Sequence, residues 1–179
     1  MENLLELLRN RRSTRKFLET DISPDMVEKL MQAALMSPAS KSSNPWQFIL
    51  VDDREMLQAL SVCKKNGSKL IENCSLAVIV LGDPEKSDVW VEDLSIASIY
   101  LQLEAEDLGL GSCWVQIRSR QNAEGEDSEI VVKRLLNIPS TFRVESIIAI
   151  GMKDVSKEPH NLDNLPWEKV HIGSFTPNE

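Results

Sequence analysis

Apolar residues recur along the chain in two spacings, one typical of helices that face a core and the other of buried strands. Intervals of three and four residues predict helices over residues 2–10, 24 to about 37, 54–62, 91–108 and 129–137. Short apolar and β-branched runs predict strands over residues 47–51, 76–81, 113–117 and 146–151. Two helices precede the first strand, so the order is not a regular series of βαβ units. The pattern indicates an α+β domain with one central sheet and helices around it.

Signals at the ends of these segments support the assignments. Ser23 followed by Pro24 is typical of a helix start, since serine caps the first turn and proline fits its first position. Gly109 fits the stop of the fourth helix, and Pro139 ends the fifth. The polar stretch 121–128 predicts a mobile loop.

Two segments are apolar enough to lie at the centre of the fold. The strand at 76–81 is apolar throughout, which predicts a central strand buried on both faces. The helix at 91–108 carries apolar residues around most of its circumference, which predicts a place in the middle of the fold. The tail at 153–179 has little periodicity but retains large apolar residues. We expect these apolar residues to pack on another surface, and a partner subunit is a candidate for it.

Size and charge narrow the class of protein. The chain has 179 residues, of which 42% are hydrophobic, so we expect one domain over residues 1–179 with one substantial core. Its net charge of −8 argues against nucleic acid as the main partner, because duplex binding needs a broad basic face. Three widely spaced cysteines predict reduced thiols in a cytoplasmic protein. With no apolar signal segment at the start and no run near the ~20 residues of a membrane span, we expect no membrane partner.

A basic segment, residues 9–16, interrupts this acidic chain near its start. It contains five cations, with the hydroxyls of Ser13 and Thr14 among them. Guanidinium and hydroxyl donors suit the oxygens of a phosphate, and each charge-assisted hydrogen bond contributes roughly 1.5–3 kcal/mol. The alternative interpretation is a solvated helix end, where arginines complement the helix dipole. A second polar segment, residues 37–46, is a candidate loop for the rest of the ligand.

Other chemistries find no support in the sequence. Only two histidines occur, His160 and His171, and no cluster of His, Cys, Asp and Glu has the spacing of metal ligands. The stretch 109–112 follows a long helix and lacks the third glycine of a dinucleotide fingerprint. No nucleophile elbow, phosphate-loop lysine or serine triad pattern appears. If the protein is an enzyme, a cofactor should therefore supply the reactive group for the chemical step.

Four segments in this order resemble the FMN-dependent nitroreductases. The first is Arg11-Arg12-Ser13-Thr14-Arg15-Lys16-Phe17, similar to the motif that holds the FMN phosphate and ribityl chain in that family. The second runs from residue 37 to 46, where the family has Pro-Ser-Ser, then Asn, then Gln-Pro-Trp. The others are residues 107–114, and residues 135–139 leading to 148–151. Together they carry the resemblance over nearly the whole chain.

The resemblance implies a fold, a cofactor and an assembly. The fold would be a central, mainly antiparallel sheet flanked by helices, with an extended C-terminal tail packed on a partner subunit. The cofactor would be FMN, and the protein an obligate homodimer in which loop 38–44 reaches the flavin ring from the other subunit. The implied cofactor-binding residues are Arg11, Arg12, Ser13, Arg15, Pro38, Ala39, Ser40, Ser42, Asn44, Lys69, Trp114, Val115, Gln116 and His160. No side chain is assigned a catalytic role, and no metal is expected.

Some positions depart from the family pattern. Ser42 stands where an asparagine is common and Ala39 where a serine is frequent, so contacts to the ring would be fewer or made by the backbone. Near the C-terminus the family often supplies Lys or Arg to the phosphate. The corresponding region here is residues 157–160, whose histidine is our candidate. Lys69 and Ser68 are a looser match.

The implied activity is transfer of hydride from NADH or NADPH through FMN to a small electron-poor acceptor, such as a nitroaromatic or a quinone, with ping-pong kinetics. The alternative is a flavin-binding protein without turnover, acting as a store or sensor, whose flavin NAD(P)H would not bleach. A third class, a basic interaction module for acidic partners, predicts a colourless protein. For Cys113 we favour a buried thiol over a functional one, and for Trp114 packing and ring contact are both open.

Overall fold

The structure, a computed structural model, describes residues 3–175. Its α-helices are α1 (Leu4–Asn10), α2 (Pro24–Leu35), α3 (Arg54–Ser61), α4 (Trp90–Asp107) and α5 (Ser128–Leu136). Its strands are β1 (Trp46–Val51), β2 (Leu76–Gly82), β3 (Leu110–Gln116) and β4 (Arg143–Met152). Short 3₁₀ turns occur at Ser40–Ser42, Lys69–Asn73, Leu162–Asn164 and Trp167–Lys169. The predicted start of the first helix at residue 2 and the end of the tail at 176–179 lie outside the described residues.

The strands form one sheet in the order β1-β2-β4-β3, in which every neighbouring pair is antiparallel. β2 and β4 lie at the centre, and β1 and β3 at the two edges. All of β2 is buried, which confirms the predicted central strand. The predicted α+β fold, a mainly antiparallel sheet flanked by helices, is therefore confirmed. Packing of the tail on a partner stays a prediction.

The sheet carries a core on each face. On one face α2 and α4 cover apolar side chains that include Val78, Val80 and Ile148. On the other face α3 and α5 cover a second set that includes Ile79 and Ile147. Because successive side chains of a strand point to opposite faces, the continuous apolar runs of β2 and β4 supply both cores at once.

Within one chain α4 is buried only on the side that faces the sheet. Its outer side exposes Ile96, Ile99 and Tyr100, to 36%, 37% and 40%. The leucines of α1 at positions 4, 5 and 8 are exposed as well. α4 thus carries more apolar surface than a single chain buries.

Helix ends follow the local chemistry of the sequence. Ser23 Oγ accepts a hydrogen bond from the Met26 amide, as expected for the cap of α2. Gly109 has a φ of +75°, a left-handed conformation that glycine adopts without strain, and α4 ends just before it as predicted. Asn137 ends α5 with a φ of 53°, which asparagine tolerates better than most residues.

A pair of glycines docks the N-terminal segment onto the sheet. Gly111 of β3 and Gly151 of β4 face each other in the antiparallel register. A Cβ at Gly111 would lie 2.6 Å from the side chain of Thr14, and one at Gly151 would lie 2.9 Å from the Phe17 ring. Thr14 and Phe17 are both buried in the space that the missing side chains leave.

Candidate functional site

The basic segment lies along the outer edge of β3 and is fastened from two sides. Thr14 N donates to Ser112 O at 2.9 Å, which joins the segment to the strand. Leu18 N donates to Met152 O at 3.0 Å, and Asp154 N donates to Lys16 O at 3.3 Å. The cations are therefore held on ordered backbone between β3 and the start of the C-terminal tail.

The arginines of the segment divide into two groups. The Arg12 guanidinium donates to the carbonyl of Glu158 and, with Glu106 and Lys153, lines a cavity of about 230 Å³. The side chains of Arg11 and Arg15 make no hydrogen bond or ion pair with any residue in the 3–175 range. Two guanidinium groups are thus left without a counter-charge beside an edge strand.

Several cations, including Arg11 and Arg15, act on the thiol of Cys113 in β3. Burial raises the pKa of the Cys113 thiol, and nearby cations oppose the rise. In decreasing order of effect, these cations are Arg15, Lys157, Lys64 and Arg11. The thiol itself is 3% exposed, which supports its interpretation as a buried packing residue. Four cations therefore lie near enough to this residue of β3 to act on its thiol, and together they form what we call the cationic edge.

Two members of the cationic edge, Lys157 and Lys64, were not predicted from the sequence. Lys157 Nζ donates to Ser13 O at 2.7 Å, so the tail contributes a lysine directly at the basic segment. The predicted tail residue, His160, donates from its backbone amide to Arg9 O at 2.9 Å, and its carbonyl accepts from Nε of the Arg9 side chain at 3.2 Å. Its ring makes no described contact with Arg11 or Arg15. Lys157 stands in the segment that the family resemblance had singled out, whereas nothing in the sequence distinguished Lys64.

Lys69 and Ser68 are placed differently from the cationic edge. Lys69 is largely exposed and pairs with Glu72 of its own turn. Ser68 is buried, and its hydroxyl donates to the carbonyls of Ser61 and Lys64 at 2.7 Å and 3.0 Å. Ser68 thus fastens the backbone of Lys64, the lysine whose charge acts on Cys113.

Loop 38–44 has a strained backbone with one strong anchor. Lys41, Ser42 and Asn44 have φ values of 52°, 54° and 44°, a region that side chains other than Asn rarely adopt. The Ser40 amide donates to Asp93 Oδ1 at 2.8 Å, and the Ser87 hydroxyl donates to Oδ2 at 2.7 Å. Asp93 is buried at the start of α4, so it fixes the loop to the body of the fold.

At the end of β3 the predicted ring-binding residues form a short hydrogen-bonded chain. Trp114 Nε1 donates to Gln116 Oε1 at 2.9 Å, and Gln116 Nε2 donates to Arg118 O at 3.1 Å. Val115 between them points into the opposite core. Trp114 and Gln116 remain partly exposed at the edge of the sheet.

One chain does not bring all the predicted site residues together. Loop 38–44 precedes β1 at one edge of the sheet, whereas the basic segment and residues 114–116 lie at β3, the other edge. Three strand spacings of ~4.8 Å separate the two edges, about 14 Å. Within the described chain, no hydrogen bond or ion pair joins loop 38–44 to either of the other two groups.

Two kinds of site find no support in the described part of the chain. Across residues 3–175, no group of three or more His, Cys, Asp or Glu side chains could hold a metal ion. Over the same range, no helix has the length and apolar character required to cross a membrane.

Comparison with known proteins gives a consistent result. The sequence model of the Nitroreductase family matches residues 8–76 and 62–152. A provisionally named NADH dehydrogenase/NAD(P)H nitroreductase of Archaeoglobus fulgidus is 34% identical over 168 residues, which cover 92% of this chain and 93% of that protein. The solved structure of an FMN-dependent nitroreductase from Clostridium difficile R20291 superposes with a TM-score of 0.93 at 41% identity, over 96% of this chain and 99% of that one. A structure from Parabacteroides distasonis, of a protein with the same provisional name as the Archaeoglobus relative, gives a TM-score of 0.87 at 28% identity, over 97% of this chain and 100% of that one.

Proposed function

Because the chain belongs to the nitroreductase family, we propose that it is an FMN-dependent oxidoreductase that carries hydride from NAD(P)H to a small electron-poor acceptor. The observation that carries the proposal is the cationic edge, where Arg11 and Arg15 form no ion pair with any described residue and Lys157 and Lys64 act on the same thiol. Such an arrangement suits a phosphate dianion at the edge of the sheet. A nitroaromatic or a quinone is the acceptor class we favour.

The residues present fit FMN. Arg11 and Arg15 supply free guanidinium donors, which bind phosphate oxygens in pairs. Ser13 lies between them on the same ordered backbone, bridged to Ser112. Next along β3, Trp114 and Gln116 offer a partly exposed polar and aromatic surface for a planar ring. The donors thus run in the same order as the phosphate, ribityl chain and ring of the cofactor.

FMN, when bound, supplies the ability to accept a hydride from a nicotinamide and to pass it to a second substrate. The protein's part is binding and orientation. Arg11, Ser13, Arg15 and Lys157 would hold the phosphate, and residues 114–116 would line the ring. The backbone of the basic segment is held to β3 by the hydrogen bond from Thr14 N to Ser112 O, so little ordering of that backbone is required on binding. Because nicotinamide and acceptor would use the same face in turn, we expect ping-pong kinetics.

We propose that the site is completed in a homodimer of this single-domain chain. Loop 38–44 leads into β1 and the basic segment adjoins β3, and these edge strands are about 14 Å apart in one chain, so a second copy would have to bring the loop to the flavin. The exposed apolar side of α4, the leucines of α1 and the apolar tail residues Trp167, Ile172 and Phe175 are suitable for burial between two copies. Exposed residues of this kind support the proposed partner packing of the tail.

The cofactor assignment is tested by titrating the purified protein with FMN and following its visible absorption. Anaerobic NADH or NADPH should bleach the bound flavin, and a nitroaromatic or quinone should restore its colour. Parallel double-reciprocal plots would support the ping-pong order. A flavin that binds but is not bleached would instead favour the non-catalytic store or sensor.

Alanine variants test the cationic edge. Arg11→Ala or Arg15→Ala removes one or more charge-assisted hydrogen bonds of roughly 1.5–3 kcal/mol, so FMN should bind about tenfold to a hundredfold more weakly. Lys16→Ala is the matched control, because Lys16 is an exposed cation of the same segment without effect on Cys113. Equal FMN affinity in all three variants and the unmodified protein would contradict the proposed phosphate site.

A further inference from the structure

A second group of cations lies beyond the proposed phosphate site, around the loop that follows β3. Arg118 and Arg120 are exposed on this loop, and Lys65 is exposed on the segment after α3. None of the three forms an ion pair with any residue in the described range 3–175. The chain as a whole has a net charge of −8, so a group of cations without acidic partners calls for an explanation.

Backbone hydrogen bonds hold two of these cations close together. The Lys65 amide donates to Gln121 O at 2.9 Å, which joins the segment after α3 to the residue that follows Arg120. The Arg120 amide donates to Ile117 O at 3.1 Å, and its carbonyl accepts from the Ser128 amide at 2.9 Å. Arg120 and Lys65 therefore project from ordered backbone at the junction of the two segments.

Like charges lie near one another at this junction. Burial lowers the pKa of Lys64, the neighbour of Lys65, and the charge of Arg120 lowers it further, against the opposing effects of Cys63 and Cys113. An ammonium group and a guanidinium group repel each other, so their proximity costs free energy that a bound anion would offset.

The acids of the next loop, residues 121–128, do not supply that negative charge. Glu126 accepts two hydrogen bonds from the Arg134 guanidinium, at 2.7 Å and 2.9 Å. Asp127 Oδ1 accepts from the Glu129 amide at 2.7 Å, as the cap of α5. Glu124 is exposed and forms no described ion pair. The cations after β3 are therefore available to a ligand.

The loop after β3 begins where the proposed ring-binding surface ends. Gln116 Nε2 donates to Arg118 O at 3.1 Å, which joins the loop to that surface. The Arg118 guanidinium lies over the ring of Trp90 in α4, 6.0 Å from the centroid. The proposed phosphate site adjoins Ser112, four residues before Gln116, which is ~13 Å along a strand. The cations of the loop thus lie beyond the ring site, on the side away from the FMN phosphate.

We propose that Arg120 and Lys65 bind the 2′-phosphate of NADPH, so that this protein uses NADPH in preference to NADH. The proposal rests on the proposed function and names the nucleotide that the same site takes. The two nucleotides differ only in a phosphate monoester on the adenosine ribose, at the end far from the nicotinamide. Side chains that distinguish them must therefore lie beyond the ring site, as these two do. Arginine suits this role because its planar fork binds two phosphate oxygens at once. Arg118, nearer the ring, is suited to the pyrophosphate that both nucleotides carry.

The test is the rate at which each nucleotide bleaches the bound FMN, followed anaerobically by stopped-flow absorption on the FMN-saturated protein. This half of the reaction needs no acceptor. The second-order rate constant for NADPH should exceed that for NADH about tenfold or more, as expected for one charge-assisted hydrogen bond. Arg120→Ala and Lys65→Ala should each reduce this ratio about tenfold. Arg120→Lys, which keeps the charge but loses the fork, should reduce it less. Lys29→Ala, at an exposed cation of α2, is the matched control and should leave the ratio unchanged.

Binding of adenosine 2′,5′-bisphosphate gives a readout that does not depend on turnover. In isothermal titration calorimetry on the FMN-saturated protein, it should bind about tenfold more tightly than 5′-AMP, which lacks only the 2′-phosphate. Arg120→Ala should remove this difference, and added salt should reduce it, because the cations are exposed.

Equal bleaching by the two nucleotides would overturn the proposal, as would a preference for NADPH that both alanine variants retain. Thermal unfolding of each variant shows that it is folded, and Arg120→Lys remains as a test if an alanine variant is not. A protein that fails to bind FMN, or whose FMN neither nucleotide bleaches, refutes the proposed function instead.

Discussion

Gly111→Ala tests whether the cationic edge depends on a steric fit rather than on charge alone. The new Cβ would lie 2.6 Å from the Cβ, Cγ2 and Oγ1 atoms of Thr14, well inside the ~3.5–4.0 Å of normal carbon contact. Gly111 sits in a strand paired along its length with β4, so the N-terminal segment is the part that must move. Such overpacking costs about 1–3 kcal/mol. For a chain of this size the midpoint of thermal unfolding should fall by about 2–12 °C.

The same change should weaken FMN binding although no cation is altered. A shift of the segment lengthens the 2.9 Å bond from Thr14 N to Ser112 O and moves Arg11 and Arg15 with it. Loss of one charged hydrogen bond would reduce the affinity about tenfold.

Thr14→Gly in the Gly111→Ala background removes the clashing atoms and should restore part of the FMN affinity. Gly125→Ala is the control: it strains a φ of +85° but meets no atom within 4 Å, so it should lower stability and spare FMN binding. The steric explanation would be refuted if Gly111→Ala bound FMN like the unmodified protein, or if Thr14→Gly gave no recovery.

Two further predictions concern buried acids. Asp93→Ala should weaken FMN binding by the proposed dimer, because loop 38–44 loses the carboxylate that accepts from the Ser40 amide at 2.8 Å. Asp93→Asn keeps one acceptor and should lose less. Equal FMN affinity in both variants and the unmodified protein would show that the loop is irrelevant to the site. Burial opposes ionisation of Glu129, but hydrogen bonds from Arg143 and Lys133 outweigh it and lower the pKa of Glu129 below its ordinary value of 4.5. The stability that these bonds contribute is therefore present above that value and lost as the pH falls through the lowered pKa. Thermal unfolding followed from neutral pH down to about pH 3 should show this loss, and Glu129→Gln should be less stable at neutral pH with a flatter pH dependence; an unchanged profile would contradict the assignment.

The sequence pattern was sufficient for the order and type of the helices and strands because the two faces of the sheet are both apolar. β2 illustrates this, since a strand buried on both faces has a continuous apolar run. The starts of two strands were misplaced by three residues for a local reason. β3 begins with Leu110, Gly111 and Ser112, of which the two small residues carry no strand signal, and β4 begins with charged residues at 143 and 145. Arg143 belongs to the strand because Glu129 of α5 neutralises it, a partner that only the folded chain reveals.

The sequence predicted which segments form the candidate site, but not how their side chains are arranged. The motif at residues 11–15 indicates a phosphate site because its several arginines supply positive charge. This holds whichever of them contacts the phosphate. The fold then separates neighbouring residues, since the Arg12 guanidinium is used on the Glu158 carbonyl, whereas Arg11 and Arg15 act on Cys113. Lys64 also acts on Cys113, and Ser68 fastens its backbone; no spacing in the sequence encodes that contact.

The position of loop 38–44 gives the strongest physical reason to expect two chains at the site. Its backbone holds three side chains in the left-handed region, which costs of order 1–3 kcal/mol for each residue that is not glycine or asparagine. Ser42 stands where the resembling proteins commonly have the better suited asparagine, yet the conformation is kept. Within one chain the strain serves no contact with the cationic edge, because the loop lies at the opposite edge of the sheet. A strained loop that a buried aspartate holds in place is explained if its backbone meets the flavin of a second copy, since only there would the fixed shape be used.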